Sequence, residues 1–406
     1  MYIKLAERCK SISLNGINML GCPRSHAVLG LTEEGSEFVK RLKEGADIDV
    51  NTLSDNNRRL LEEMDKRGFF HPDIPDFRTK SAYLHITSRC NMNCTGCYSH
   101  SNGNYEANIS DLPPEQIYYI VDNLVEAGFK TLIISGGEPF LYKDIIAILD
   151  YMKSKGCKVD CISNGTASEE MYETALKSLN NLSFSMDGYD EESSILRRSM
   201  AKRTDTLVRT FAGQNANVSV IFTLHKKNYH LYQQMQEYAK ELGVPYNYSL
   251  FTAERNAQND PFLLEAEEFI SLSKQFDSTT NIMDSSLDNT LSCRTCCGAG
   301  KTRISISASG DIYPCHMMHQ EEFLMGNALK DKISSVINRV PSEGYFSVDK
   351  KTECKDCKYA YLCGGGCLYR AYALNGSLSS RESLCELYKQ QIDQILAPFT
   401  KKCDAP

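Results

Sequence analysis

The stretch from Ala82 to Tyr98 limits what this chain can become more than any other. A strand-like apolar run (Ala82, Tyr83, Leu84, His85, Ile86) leads into Thr87-Ser-Arg-Cys90-Asn-Met-Asn-Cys94-Thr-Gly-Cys97-Tyr98. Three thiols spaced C-x3-C-x2-C in one loop can turn toward a single point. They supply three of the four soft ligands that a cubane iron-sulfur cluster takes. Such a loop either borrows a distant cysteine or leaves one iron open to an exogenous ligand. Zinc is the plainer alternative, but zinc sites are usually made of two separated pairs, and a triplet followed by an aromatic residue fits that poorly.

The totals agree with an ordinary soluble protein. A length of 406 residues suggests two or three domains, and 42% hydrophobic residues are enough for real cores. A net charge of −7 argues against a general nucleic-acid or anionic-membrane binder. Lys4, Glu7 and Arg8 stand where a secretory peptide would need its apolar segment, and no apolar run approaches the ~20 residues of a membrane span. The 17 cysteines cluster in ligand-like spacings instead of spreading as a disulfide framework would. The expected compartment is a reducing cytoplasm, where thiolates are available for metal.

From residue 81 to about 285, strands and helices alternate. Strands are expected at Tyr83 to Thr87, Thr131 to Ser135, Lys158 to Ser163, Leu182 to Met186, Asn217 to Thr223 and Tyr246 to Leu250, with helical patterns between them. Six βα units imply parallel strands with right-handed crossovers, fewer than the eight of a closed barrel, so the expectation is a partial (β/α)6 TIM-like barrel. Chemistry in such folds sits at the carboxyl ends of strands. The cysteine loop follows the first strand. Ser135-Gly136-Gly137-Glu138-Pro139 ends the second, where glycines permit close backbone approach and the carboxylate can receive an amino group. Ser163-Asn164-Gly165 and Ser183-Phe-Ser185-Met-Asp187-Gly188 end the third and fourth. Cys157 and Cys161 read as buried small apolar residues, as do Cys9, Cys22 and Cys403.

The cysteine loop with Tyr98, in register with Gly136-Gly137-Glu138-Pro139, resembles the signature of radical S-adenosylmethionine (SAM) enzymes. The resemblance implies that Cys90, Cys94 and Cys97 hold a [4Fe-4S] cluster whose open iron chelates SAM, and that reductive cleavage yields a 5'-deoxyadenosyl radical. It further implies cofactor contacts from Tyr98, Gly136, Gly137, Glu138, Ser185 and Arg197, the last through a guanidinium suited to a carboxylate. The His-Asp usual before this arginine is absent here.

Residues 1 to 80 form a separate module. Apolar stretches around Ser11 to Met19 and His26 to Leu31, punctuated by Asn15-Gly16 and Pro23, read as strands. Thr32 opens a helix with Phe38, Val39 and Leu42 at helical spacing, and a second helix carries Leu60, Leu61 and Met64. The pattern is winged-helix-like. It resembles the recognition element of enzymes that modify ribosomally made peptides, in which a leader peptide adds a strand beside the third strand and packs on the last helix. A DNA-binding role is disfavoured by the mixed charges Arg58, Arg59, Glu62, Glu63, Lys66 and Arg67.

Residues 286 to 406 concentrate the remaining cysteines: Cys297-x12-Gly310-x4-Cys315, then Cys354-x2-Cys357-x5-Cys363-x3-Cys367 and Cys385. A zinc ribbon would use one four-thiolate set and leave Cys297, Cys315 and Cys385 unexplained. The spacing resembles the SPASM extension of radical SAM enzymes, which implies two auxiliary [4Fe-4S] clusters. One would take Cys354, Cys357, Cys363 and Cys385. The other would take Cys297, Cys315 and Cys367 with an upstream thiolate, Cys293 preferred over Cys296, or none. Three clusters and SAM are thus the expected cofactors.

In sulfatase-maturating relatives an aspartate follows the cysteine matching Cys315; here His316 stands there, able to act as a base near neutral pH. The resemblance as a whole points to a peptide maturase that installs a crosslink, a thioether first and a carbon-carbon bond second. Sulfatase maturation or simple peptide oxidation is the alternative, and an iron-sulfur redox sensor with a DNA-binding module is the alternative from another class. The implied partners are a precursor peptide with its leader and a one-electron donor such as flavodoxin or ferredoxin, with no nucleic acid and no membrane.

Overall fold

The computed structural model describes residues 5, 8–70, 80–99, 110–196, 200–252, 260–275, 291–341 and 345–400. The first module opens with three antiparallel strands, β1 (Lys10–Leu14), β2 (Ile17–Cys22) and β3 (Ala27–Leu31). Asn15 and Gly16, with φ of 51° and 77°, supply the two left-handed residues of a tight β1–β2 hairpin. Helices α1 (Glu33–Lys43) and α2 (Asp55–Lys66) follow, and the side chains of Thr32 and Ser54 cap them by accepting the N–H groups of Gly35 and Asn57. One face of the small sheet packs Leu20 and Cys22 against Phe38, Val39, Leu42 and Met64. Its other face sends Ile12, Leu14, Ile17 and Met19 into the main core, so the module is docked through apolar contact.

Six parallel strands follow: β4 (Ser81–Thr87), β5 (Thr131–Gly136), β6 (Lys158–Ser163), β7 (Asn181–Met186), β8 (Val218–Leu224) and β9 (Tyr246–Leu250). Between and after them run α3 (Pro114–Glu126), α4 (Ile145–Ser154), α5 (Glu169–Leu176), α6 (Ala201–Gly213), α7 (Tyr232–Glu241) and α8 (Ala266–Ser273). This is the expected partial barrel. Alternation sorts its two faces. Leu182 and Phe184 on β7 and Val220 and Phe222 on β8 are wholly buried under the helices, with Cys161 and Cys157 in the same core. The opposite face carries Ser135, Ser183, Ser185, Ser219 and Thr223, a polar lining unlike the branched filling of a closed barrel.

The C-terminal part extends this sheet. Strand β10 (Arg303–Ile306) pairs parallel with β4, placing Ser305 beside Tyr83, and β11 (Asp311–Tyr313) and β12 (Gly326–Asn327) add antiparallel strands beyond it. The sheet therefore has nine strands in the order β12-β11-β10-β4-β5-β6-β7-β8-β9. Four α-helices follow among the described residues: α9 (Ile333–Asn338), α10 (Ala360–Cys363), α11 (Leu368–Asn375) and α12 (Cys385–Thr400). Buried Asn123 on α3 joins the two parts. Its amide donates to the carbonyls of Ala328 (3.1 Å) and Asp331 (2.9 Å) and accepts the N–H of Ile333 (3.0 Å). Among the described residues no helix is long and apolar enough to cross a membrane.

Candidate active site

The loop after β4 is knitted to the end of β5 by main-chain bonds. Gly137 N–H donates to Thr87 O and Glu138 N–H to Arg89 O, each at 2.8 Å. Only glycine fits at 137: a Cβ there would lie 1.9 Å from the Arg89 carbonyl oxygen. Arg89 itself is anchored. Its guanidinium donates to Asp111 and to Leu141 O (2.8 Å), while the Thr87 hydroxyl donates to Asp111 at 2.6 Å. On the far side, Gly96 (φ 67°) lies so close to the Phe251 ring that a Cβ would stand 2.1 Å from it. The sequence had not singled out Gly96 or Phe251, because the contact joins residues from opposite ends of the barrel.

Cys90, Cys94 and Cys97 are half-buried on one cavity at the carboxyl ends of the strands. Tyr98, Gly136, Gly137, Glu138, Ser185 and His316 line the same cavity. Burial, and then the neighbouring Glu138, Cys94 and Cys97, raise the Cys90 thiol above its ordinary value. Three thiols gathered on one cavity suit a cationic centre that displaces their protons, which an iron-sulfur cluster provides. Arg197 lies outside the described residues.

Glu138 is 1% exposed. Its Oε1 accepts the Ser163 hydroxyl (2.9 Å) and the Phe140 N–H (3.2 Å), and its Oε2 accepts the Asn164 N–H (2.8 Å). Burial nevertheless pushes its pKa from the ordinary 4.5 up to about 7. Between those values the folded protein keeps a proton that the unfolded chain has released. This carboxyl's contribution to stability therefore falls as pH rises through that window, by roughly 3 kcal/mol in all. Thermal unfolding of SAM-free protein should show that slope, and Glu138→Gln should flatten it. A variant with the same pH dependence as wild type would contradict the assignment.

His316 is buried and belongs to both halves of the site. Its ring stacks on Tyr83 (centroids 4.1 Å apart), meets Tyr98 edge-on (5.4 Å), and its Nδ1 lies 3.6 Å from Cys315 Sγ. A second stack, His85 on His319 (4.5 Å) and His319 on Tyr313 (4.5 Å), fills the space between β4 and β11. The histidines of this layer other than His316 escaped the sequence reading, since β10–β4 pairing is what brings them together.

Two further thiol groups form behind this wall. Cys354, Cys357, Cys363 and Cys385 surround one pocket. Cys297, Cys315 and Cys367 pack around Ala299, Tyr313 and Leu368. Burial pushes the Cys315 and Cys363 thiols up to about 12 and the Cys367 and Cys385 thiols up to about 11. Dry clustered thiols of this kind suit a metal that displaces their protons.

Cys293 lies against the first module. Its N–H donates to His26 O (3.1 Å), and its sulfur would lie 2.6 Å from a Cβ at Gly21 of β2. Its thiol is raised to about 12 by burial and then by Cys22. Spacing in the chain could not reveal that the first module docks there. Cys296, next to Cys297 in the chain, is buried as well.

The Radical SAM superfamily profile matches residues 84–224, and the SPASM iron-sulfur cluster-binding domain matches residues 282–358. The chain belongs to the radical SAM superfamily and carries a SPASM domain; it is a radical SAM enzyme. One relative is the antilisterial bacteriocin subtilosin biosynthesis protein AlbA of Bacillus subtilis (strain 168), 25% identical over 338 residues, covering 78% of this chain and 72% of AlbA. Another is the AdoMet-dependent heme synthase of Methanosarcina barkeri (strain Fusaro), 25% identical over 340 residues, covering 74% of this chain and 94% of that protein. Among solved structures, Streptococcus suis SuiB bound to precursor peptide SuiA has the same fold, with a TM-score of 0.61 at 16% identity over 94% of this chain and 99% of that one.

Proposed function

We propose that this enzyme is a cytoplasmic peptide maturase that crosslinks a ribosomally made precursor, with a thioether as the first product and a carbon-carbon bond as the second. The observation that carries the reading is the shared cavity wall. The Cys90–Cys97 loop forms one side and His316 and Met317 another, so one substrate residue can face both the radical source and His316, whose Nδ1 lies 3.6 Å from Cys315 Sγ. The names of AlbA and of the SuiB–SuiA complex support a precursor-peptide substrate.

When bound, a [4Fe-4S] cluster with SAM supplies a 5'-deoxyadenosyl radical that abstracts the nearest substrate hydrogen. The roles of the chain's own residues follow. Cys90, Cys94 and Cys97 would hold that cluster. Glu138 accepts the SAM amino group, Ser185 meets the ribose, Arg197 pairs with the carboxylate, and Tyr98 and the main chain at Gly136 and Gly137 border the cofactor. His316 takes a proton from the substrate. Cys354, Cys357, Cys363 and Cys385 would hold one auxiliary cluster, and Cys297, Cys315 and Cys367, with Cys293 or else Cys296 upstream, the other. A flavodoxin or ferredoxin delivers the electron.

The leader is read at the edge of β3, whose one partner among the described residues is β2. Added-strand binding satisfies the edge N–H and C=O groups. Hydrogen exchange read by mass spectrometry tests this: a precursor peptide should slow exchange across residues 27–31 at least tenfold, and its leader alone should suffice. Unchanged exchange there with a peptide that is nonetheless modified would overturn leader docking at β3.

A further inference from the structure

Lys351 is 1% exposed, wholly inside the C-terminal part. Its ammonium donates to the carbonyl oxygens of Gly365 (2.9 Å) and Ser380 (3.4 Å). Among the described residues no carboxylate lies within 4.0 Å of it. Buried lysines are rare without a counter-charge, because two carbonyl dipoles do not replace the hydration of an ammonium.

The missing counter-charge lies next door. Lys351 O accepts the Cys354 N–H at 3.0 Å, and the lysine stem runs under the turn between Cys363 and Cys367, with its Cδ 3.2 Å from where a Cβ at Gly365 would stand. Its charge acts on Cys354. The cations that line that pocket are already answered: Arg381 faces Glu353 (3.8 Å) and Glu386 (3.7 Å), and Lys389 faces Glu386 (2.9 Å). Buried Arg370, whose charge acts on Cys367, is neutralised by buried Glu382, which also lines the pocket of the first group. An unanswered positive charge is therefore brought to one thiol group and not to the other.

We propose that Lys351 is the counter-ion of the centre held by Cys354, Cys357, Cys363 and Cys385, and that it raises the reduction potential of that centre. The inference rests on the reading that these four thiolates hold a cluster. Reduction adds negative charge, and a fixed cation in a dry surrounding favours the reduced form. Because the charge is buried, salt should screen it little.

The test is a redox titration of anaerobic holoenzyme followed by electron paramagnetic resonance, in wild type, Lys351→Met and Lys351→Arg. Cys357→Ala assigns the signal. In Lys351→Met the potential of this centre should move negative while the other centres stay in place, and Lys351→Arg should restore it. Where Lys351→Met loses this centre alone, Lys351→Gln supplies the neutral variant whose potential is read. If Lys351→Met does not fold, Lys351→Gln removes the charge while keeping an amide donor. An unmoved potential in the neutral variants, or an equal shift in every centre, overturns the counter-ion role. A Cys357→Ala protein that loses no signal overturns the cluster reading itself, which is a separate failure.

Discussion

Cys90→Ala should lower 5'-deoxyadenosine formation by more than about 100-fold while leaving the auxiliary clusters in place. Changes outside a metal's ligand shell already cost 10- to 100-fold in affinity or activity, and this change removes one of three ligands outright. The auxiliary thiol groups are built on other elements, around β10, α10, α11 and the start of α12. Iron content should therefore fall by one cluster and no more. Anaerobic assays with dithionite, read by mass spectrometry of the nucleoside alongside iron analysis, provide the check. Undiminished 5'-deoxyadenosine would show that the radical cluster is held somewhere else.

Gly137→Ala should be nearly as severe, although it touches no ligand. The new methyl would stand 1.9 Å from the Arg89 carbonyl oxygen, so the strand end and the cysteine loop must separate by more than an ångström. That breaks the bonds from Gly137 to Thr87 and from Glu138 to Arg89. A misplacement of that size can cost about 100-fold in rate, and forced overpacking a further 1–3 kcal/mol or so of stability. The matched control is Gly213→Ala at the end of α6, where a Cβ meets nothing within 4 Å. SAM cleavage should collapse in the first variant and persist in the second. Equal activity in both would mean that the two loops are not held in register by this contact.

Much of the barrel was legible because its signals are local. Strand and helix periods, and the glycines and acidic residues at strand ends, are set by neighbours in the chain. The strands at Thr131–Gly136, Lys158–Ser163 and Tyr246–Leu250 fall within one residue of their expected bounds. Arrangements fixed by distant pairing were not legible. Strand β10 contributes four residues of ordinary pattern, and nothing in them announces the parallel partner 222 positions earlier that makes the sheet nine-stranded. His85 and His319 stack only because of that pairing. The contact of Cys293 with Gly21 of the docked hairpin is equally invisible in the chain. Lys351 looks like any surface lysine until its burial is seen.

The central claim is that the cavity between the Cys90 loop and His316 directs a SAM-derived radical at a carbon of a bound peptide. It is tested most directly by incubating the anaerobic holoenzyme with SAM, reductant and a candidate precursor peptide deuterated at carbon. Deuterium should appear in 5'-deoxyadenosine, and the peptide should lose two hydrogens, with a cysteine protected from alkylation if the link is a thioether. Abundant 5'-deoxyadenosine free of deuterium beside an unchanged peptide, repeated across precursor peptides whose leaders bind the enzyme, would contradict it.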